Sequence, residues 1–425
     1  MLHPFSPVTE GLNQYSVPRY TDTMSRSTNS SSTALPPTHR ALRQDTYASR
    51  PTVQQIQTPQ PTPGSAVLKV EAANVISYTK DIYNGVRKYP YPTPLTLGSS
   101  AIGRIVALGP DATTLRVGDL CFLDITISGR DDVDGNANST FLSAIHDGFG
   151  AASKGLMSQA WRDGTYAEYV RWPLENCHRV DETKMFKARG YNVQDLMYIS
   201  KIMVPYGGMG PGCVDVKPGE TVIVSPATGS FGSAAVHVAL SLGAGKVVAM
   251  GRNVDVLEKV KSVAGGGGGG GGGGERVVCV KLTGDYQTDL DALKVATADD
   301  GGADVFFDTS PPAAAGSTHV KAGIMSLKKG GRCVLMGGIA GDVALPHLKI
   351  MHWGITIKGK WMFEPVDVQR MINLIETGVV KLHNPEKGEP MIGAKCLGTF
   401  GLDDWEKAFD EAERVGSDGY ILLKP

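Results

Sequence analysis

Apolar positions follow two different rhythms along this chain. Between residues 41 and 170, short β-branched runs separated by Gly- and Pro-rich turns predict strands over 41–47, 52–57, 66–73, 98–108, 120–127 and 164–170. Beyond residue 220, apolar segments at 221–226, 246–251, 276–281, 303–308, 332–336 and 356–361 read as strands buried on both faces. Stretches of helical periodicity at 233–242, 254–264, 290–298 and 315–327 alternate with them, and a further helix is expected over 366–376. A strand-rich first part followed by strand–helix alternation predicts an α/β chain, in which a β-rich domain precedes a doubly wound parallel sheet. A helix over 402–415 and a strand over 420–424 fit the first domain better, which makes the parallel-sheet domain an insertion. The expected organisation is an arm over 1–36, a first domain over 37–204, the insertion over 205–380 and a return over 381–425. The segment 128–162 shows no periodicity and reads as a long loop of the kind that is functional or disordered.

The turn after the strand 221–226 carries the clearest chemistry. Ala227, Gly229 and Gly232 occupy its three small-residue positions, with Thr228, Ser230 and Phe231 between them. The first permits a sharp reversal, the second lets backbone approach a pyrophosphate, and the third lets the next helix pack closely on its strand. That helix turns its N-terminal N–H groups and positive dipole end toward the phosphates. Strand, turn, helix and strand in this order predict a dinucleotide site.

The strand 246–251 decides which dinucleotide. An NAD site usually carries an acid about 20 residues past the glycines, to hold the ribose hydroxyls. Here Gly251 is followed by Arg252 and Asn253, with no acid before Asp255. Arg252 is either an ordinary solvated arginine or a grip for a 2′-phosphate through two parallel charge-assisted hydrogen bonds. The second reading makes NADP(H) the expected cofactor in preference to NAD(H).

Composition narrows the partners. A formal net charge of −1 and an isoelectric point near 6.8 offer no electrostatic case for nucleic acid or an anionic membrane. No apolar run approaches the roughly 18 residues that span a bilayer. The six cysteines are scattered, without a CxxC pair, as suits a reducing compartment. A cytoplasmic protein acting on a small molecule is expected, with a homodimer left open. Residues 1–36 are rich in Ser, Thr and Pro and are expected to be disordered, and the ten glycines 265–274 are expected to form a mobile surface loop.

Several motifs together resemble the medium-chain dehydrogenase/reductase superfamily. They are PTPLTLGSSAIGRIVALGPDATTLRVGD (92–119), DGTYAEYV (163–170), KPGETVIVSPATGSFGSAAVHVALSLGA (217–244), GGRCVLMGG (330–338) and ITIKGKWM (355–362). The resemblance covers residues 40–425 and implies a GroES-like catalytic domain and a Rossmann domain holding NAD(P). It also implies that Gly337 and Gly338 lie where backbone meets the nicotinamide. Departures from the family pattern bear on metal. NVISYTKD (74–81) lacks the ligand cysteine of zinc alcohol dehydrogenases, Gly98-Ser99-Ser100 stands where they carry Gly-His-Glu, and the four cysteines of a structural zinc lobe are missing. A hydroxyl does not replace imidazole or thiolate as a strong zinc ligand. The chain is thus similar to the zinc-free, quinone-oxidoreductase-like branch and to alcohol-dehydrogenase-like proteins of fungi, and no metal site is expected.

A metal-free site needs another group to stabilise charge on the acceptor oxygen. Tyr78 falls about where zinc-dependent relatives place their cysteine, and is either that donor or a wall of the cleft. Thr79 and Ser99 are weaker hydroxyl candidates. His146-Asp147 and Cys177-His178 read as solvated or satisfied pairs, and His237 as packing. The expected activity is hydride transfer between NADPH and a carbonyl, enone or quinone. The alternatives are a zinc enzyme with unusual ligands or a non-catalytic NADPH-binding protein.

Overall fold

A computed structural model describes residues 35–264, 276–383, 390–391 and 393–425. The expected disordered arm, apart from its last two positions, and all ten consecutive glycines lie outside the described residues.

The strand Ser65–Val75 organises the first sheet. Eleven residues long and buried at nearly every position, it pairs with Ala101–Leu108 along one edge. Along the other edge its first half pairs with Tyr169–Pro173 and its second half with Tyr420–Leu423. Leu120–Leu123 and Cys177–Arg179 extend this sheet on one side and Cys396–Phe400 on the other. A smaller antiparallel sheet joins Thr52–Gln57, Thr38–Gln44 and Leu95–Thr96. Leu68, Tyr166, Trp172 and Phe409 are fully or almost fully buried in the core between these elements.

The second sheet has six parallel strands in the spatial order Val277–Lys281, Lys246–Gly251, Thr221–Ser225, Ala303–Asp308, Leu327–Leu335, Thr356–Gly359. In Thr221–Ser225, Val222 and Val224 face one hydrophobic cluster and Ile223 the opposite one. Both faces are covered, which is why the strand reads as an unbroken apolar run. Strand order reverses between Thr221–Ser225 and Ala303–Asp308. The crevice outside the carboxyl ends at such a reversal is where open α/β sheets bind ligands.

Some expected elements shift for identifiable reasons. The strand expected from residue 98 begins at Ala101, because Gly98 passes so close to the neighbouring segment that a Cβ there would lie 2.0 Å from Thr165 N. The segment 128–162, expected as loop, contains the short strand Phe141–Leu142 and the helix Ala151–Gln159. The helix expected over 315–327 spans only His319–Met325, and Leu327 instead opens a strand opposite Ala303. Ile199–Met209 was not expected as a helix at all. It is buried along almost its whole length and contains Pro205, so it carries no amphipathic stripe.

One buried charge in that helix has a measurable consequence. Lys201 is 7% exposed, donates to Gly419 O and lies 5.5 Å from the Tyr420 ring centre. Burial pulls its pKa down from 10.5 to about 7. Between those values the unfolded chain holds the extra proton, so stability rises with pH across that window. Lys201→Met is expected to remove this contribution, so that between about pH 7 and 8.5, below the range in which the cysteines and tyrosines buried in the fold ionise in the unfolded chain, its melting temperature climbs less than the parent's. Thermal unfolding across that range reads it directly.

Candidate functional site

The glycine turn opens at the carboxyl end of Thr221–Ser225, all five residues of which are buried. Ala227 N donates to Met250 O (2.7 Å), tying the turn to the adjacent strand. The helix Ser230–Ser241 starts from Gly229, which is exposed. At Gly232 a Cβ would lie 2.0 Å from Pro226 O and 2.9 Å from Ala227 Cα, so only glycine allows this helix to pack on its strand. At Gly229 a Cβ would meet nothing within 4 Å. One glycine is thus required by the protein's own packing, while the other borders open space at a helix N-terminus. Thr228, Ser230 and Phe231 are half-buried around it, and Thr228 packs against Gly251, where a Cβ would lie 2.5 Å from Thr228 Cγ2.

Arg252 and Asn253 follow directly, both exposed. Their side chains do different things. Asn253 Oδ1 accepts from Val256 N (3.2 Å) and so caps the helix Val254–Ala264. Arg252 makes no hydrogen bond or ion pair among the described residues.

The two glycines after Leu327–Leu335 also differ. A Cβ on Gly337 would lie 2.5 Å from Asp308 Oδ2 and 2.6 Å from Ser310 N, so its missing side chain serves the packing of two strand ends. Gly338 borders open space, and its N–H donates to Ser310 O (2.8 Å). Beneath them lies a buried polar network that the sequence analysis missed. Ser310 Oγ donates to Asp308 Oδ1 (2.5 Å), and His319 Nε2 stands 2.7 Å from Ser310 Oγ and 3.2 Å from Asp308 Oδ1. Ser317 Oγ lies 2.7 Å from His319 Nδ1. Serine, aspartate and histidine interspersed with Pro and Gly over residues 308–319 were the only signal available for it. The network ties down the segment 308–319, whose Ser310 O receives the Gly338 N–H.

On the opposing domain, Tyr78 precedes the short helix Thr79–Tyr83 with φ −114° and ψ 21°, close to the sparsely populated bridge region. Its ring is half-buried, with the Arg87 guanidinium 3.7 Å from its centre. Burial raises the Tyr78 pKa and nearby Tyr89 adds to the rise, while Arg87 opposes it. The phenol therefore keeps its proton at neutral pH, and its hydroxyl has no hydrogen-bond partner among the described residues.

Thr79 and Ser99 are placed differently. Both are buried, and their hydroxyls lie against that of Tyr166. Ser99 Oγ donates to Asn74 O, and Thr165 Oγ1 donates to Ser99 O (2.6 Å). The Ser99 proton is committed to the framework of the sheet. His178 and His237 are also buried, each with its pKa pulled down to about 4, and belong to the core.

At the two positions where the family resemblance puts zinc ligands, the side chains are thus a phenol and a serine hydroxyl bonded to a backbone carbonyl. Among the described residues no three His, Cys, Asp or Glu side chains are grouped to hold a metal ion. A phenol and a serine hydroxyl are weak zinc donors beside imidazole or thiolate.

Two family descriptions match the chain. Residues 62–182 match the alcohol dehydrogenase GroES-like domain, and residues 231–377 match zinc-binding dehydrogenase. Sorbitol dehydrogenase of Halalkalibacterium halodurans is 25% identical over 87% of this chain and 94% of its own length. L-threonine 3-dehydrogenase of Alteromonas mediterranea is 24% identical over 86% of this chain and 94% of its own. Among solved structures, alcohol dehydrogenase TADH from Thermus sp. ATN1 superposes with a TM-score of 0.69 at 18% identity, covering 91% of this chain and 99% of its own. With both domains matched in order and dehydrogenases among its relatives, the chain belongs to the medium-chain dehydrogenase/reductase superfamily and is an NAD(P)-dependent oxidoreductase of the alcohol dehydrogenase type.

Proposed function

We propose that this chain is an NADP(H)-dependent, zinc-independent oxidoreductase that exchanges hydride between nicotinamide and a carbonyl/alcohol, enone or quinone substrate. The observation that carries the reading is Tyr78, a protonated, half-buried phenol whose hydroxyl is uncommitted and whose ring lies against a guanidinium. When bound, the cofactor supplies or accepts the hydride at the substrate's electrophilic carbon. The protein supplies the rest. As hydride reaches that carbon, the electron pair of the π bond moves to oxygen, and Tyr78 donates its proton there. Arg87, stacked on the ring, stabilises the phenolate left behind, which regains a proton from solvent. In the oxidising direction the phenol must first give its proton to solvent before it can accept one from the alcohol, so its raised pKa favours the reducing direction at neutral pH. The turn 227–232 is suited to hold the pyrophosphate, with Gly229 nearest to it, and Gly338 leaves room for the nicotinamide.

Arg252 supports the NADP(H) preference, being exposed, unpaired among the described residues, and next to the strand end where an acid would select NAD. Removing a charge-assisted contact of about 1.5–3 kcal/mol by Arg252→Ala is expected to weaken NADPH binding at least about tenfold and leave NADH nearly unchanged. Equal losses for both cofactors would show that Arg252 does not read the 2′-phosphate. The overall reading is tested by NADPH oxidation across a panel of ketones, aldehydes, enones and quinones, with elemental analysis of the same preparation. Turnover by protein holding far less than one zinc per chain is the expected result. Stoichiometric zinc, with activity lost on chelation, would overturn it.

A further inference from the structure

Four rings outside the machinery already assigned converge from three separate segments. Tyr89 follows the helix Thr79–Tyr83, His146 and Phe149 lie between Phe141–Leu142 and Ala151–Gln159, and Trp361 follows Thr356–Gly359. His146 is central, with its ring centre 5.2 Å from Tyr89, 5.1 Å from Phe149 and 5.8 Å from Trp361. Phe149 and Trp361 meet edge to face at 5.1 Å.

Two features distinguish this group from core packing. Phe149 is 66% exposed and Trp361 37%, so large apolar rings stand open to solvent, where a ligand has most area to cover. The group also sits beside the expected chemistry. Gly359 pairs with Leu335 and Lys360 N donates to Leu335 O (3.1 Å), which puts Trp361 next to Met336–Gly338 at the carboxyl edge of the parallel sheet. From the other side, the Arg87 guanidinium lies 3.7 Å from the Tyr78 ring and 6.0 Å from the Tyr89 ring, linking the rings to the candidate proton donor. His146 adds one polar edge. Its Nδ1 accepts from Gly148 N (3.0 Å), which assigns the proton of the neutral ring to Nε2, and Nε2 has no partner among the described residues.

We propose that Tyr89, His146, Phe149 and Trp361 form a stacking site for a planar, conjugated substrate, holding its ring system while the reducible carbon lies toward Tyr78. The inference rests on the oxidoreductase reading above and deepens it by naming a substrate class. Aromatic faces attract a flat π system through offset and edge-to-face contacts that a puckered ring of the same carbon skeleton does not make.

Naphthaldehyde and its saturated counterpart, decalincarboxaldehyde, separate these cases. Turnover is measured with NADPH, and binding by calorimetric titration of protein saturated with NADP+. The parent is expected to prefer naphthaldehyde about tenfold in kcat/KM and in affinity. Phe149→Ala and Trp361→Ala, both at exposed positions, should fold with an unchanged melting temperature and bring that ratio close to one, chiefly through KM. Equal handling of the two aldehydes by the parent, or variants that lower both alike, would overturn the stacking site while leaving the oxidoreductase reading intact. Selective binding of naphthaldehyde that depends on Trp361, with no reduction of any carbonyl, enone or quinone, would support the stacking site and remove the oxidoreductase reading.

Discussion

Replacing Tyr78 with phenylalanine is expected to lower kcat and kcat/KM together by about 10²-fold, with NADPH affinity and melting temperature unchanged. The substitution keeps the ring, its half-buried seat and its stacking with Arg87, and removes only the hydroxyl. No neighbouring hydroxyl is placed to substitute, since Ser99 is bonded to Asn74 O and Thr79 is buried against Tyr166. An interaction made mainly in the transition state appears in kcat rather than in KM, and steady-state kinetics at saturating NADPH read that split. Normal turnover by the phenylalanine variant, coupled with a raised KM for Tyr78→Ala, would make Tyr78 a wall of the cleft. Proton delivery would then have to come through an ordered water.

The two glycines of the turn are expected to fail in opposite ways. Gly232→Val drives a side chain into Pro226 O and the Ala227 backbone, and neither can move without lifting the helix Ser230–Ser241 off its strand. Overpacking of this kind costs about 1–3 kcal/mol or more, so the melting temperature falls and nucleotide binding falls with it. Gly229→Ala meets nothing within 4 Å and sits at φ −90°, which any residue adopts. Its stability should therefore match the parent's, while a methyl group between backbone N–H and pyrophosphate weakens both NADPH and NADH at least about tenfold. Thermal unfolding paired with cofactor titration distinguishes the two variants. A Gly229→Ala protein that binds cofactor normally would move the pyrophosphate away from this turn.

The parallel-sheet domain was legible because its signals are local. Ala303–Asp308 and Val254–Ala264 have the bounds their periodicity predicts, and the role of Gly232 in packing follows from the motif alone. Elements whose pattern is set by surroundings were not legible. Ile199–Met209 is buried along almost its whole length, Lys201 included, and Cys396–Phe400 is a short strand of half-buried and exposed residues. In the site, the same distinction holds. Nothing in the sequence joins His146 to Trp361, because only the packing of the two domains brings those rings together. Ser99 and Tyr78 look alike as hydroxyl donors in sequence, and differ only once Asn74 O is found within reach of one of them.

The pairing of Ser65–Val75 with Tyr420–Leu423 also sets an order of assembly. All six strands of the parallel sheet lie in the continuous stretch from Thr221 to Gly359, so that sheet can close as soon as this stretch leaves the ribosome. Ser65–Val75 is made far earlier but waits for Tyr420–Leu423, keeping part of one edge unpaired through most of synthesis. The folded insertion draws together the two chain ends that must meet, shortening the loop left to close. A nascent chain would thus complete its parallel sheet before the sheet built on Ser65–Val75 is whole.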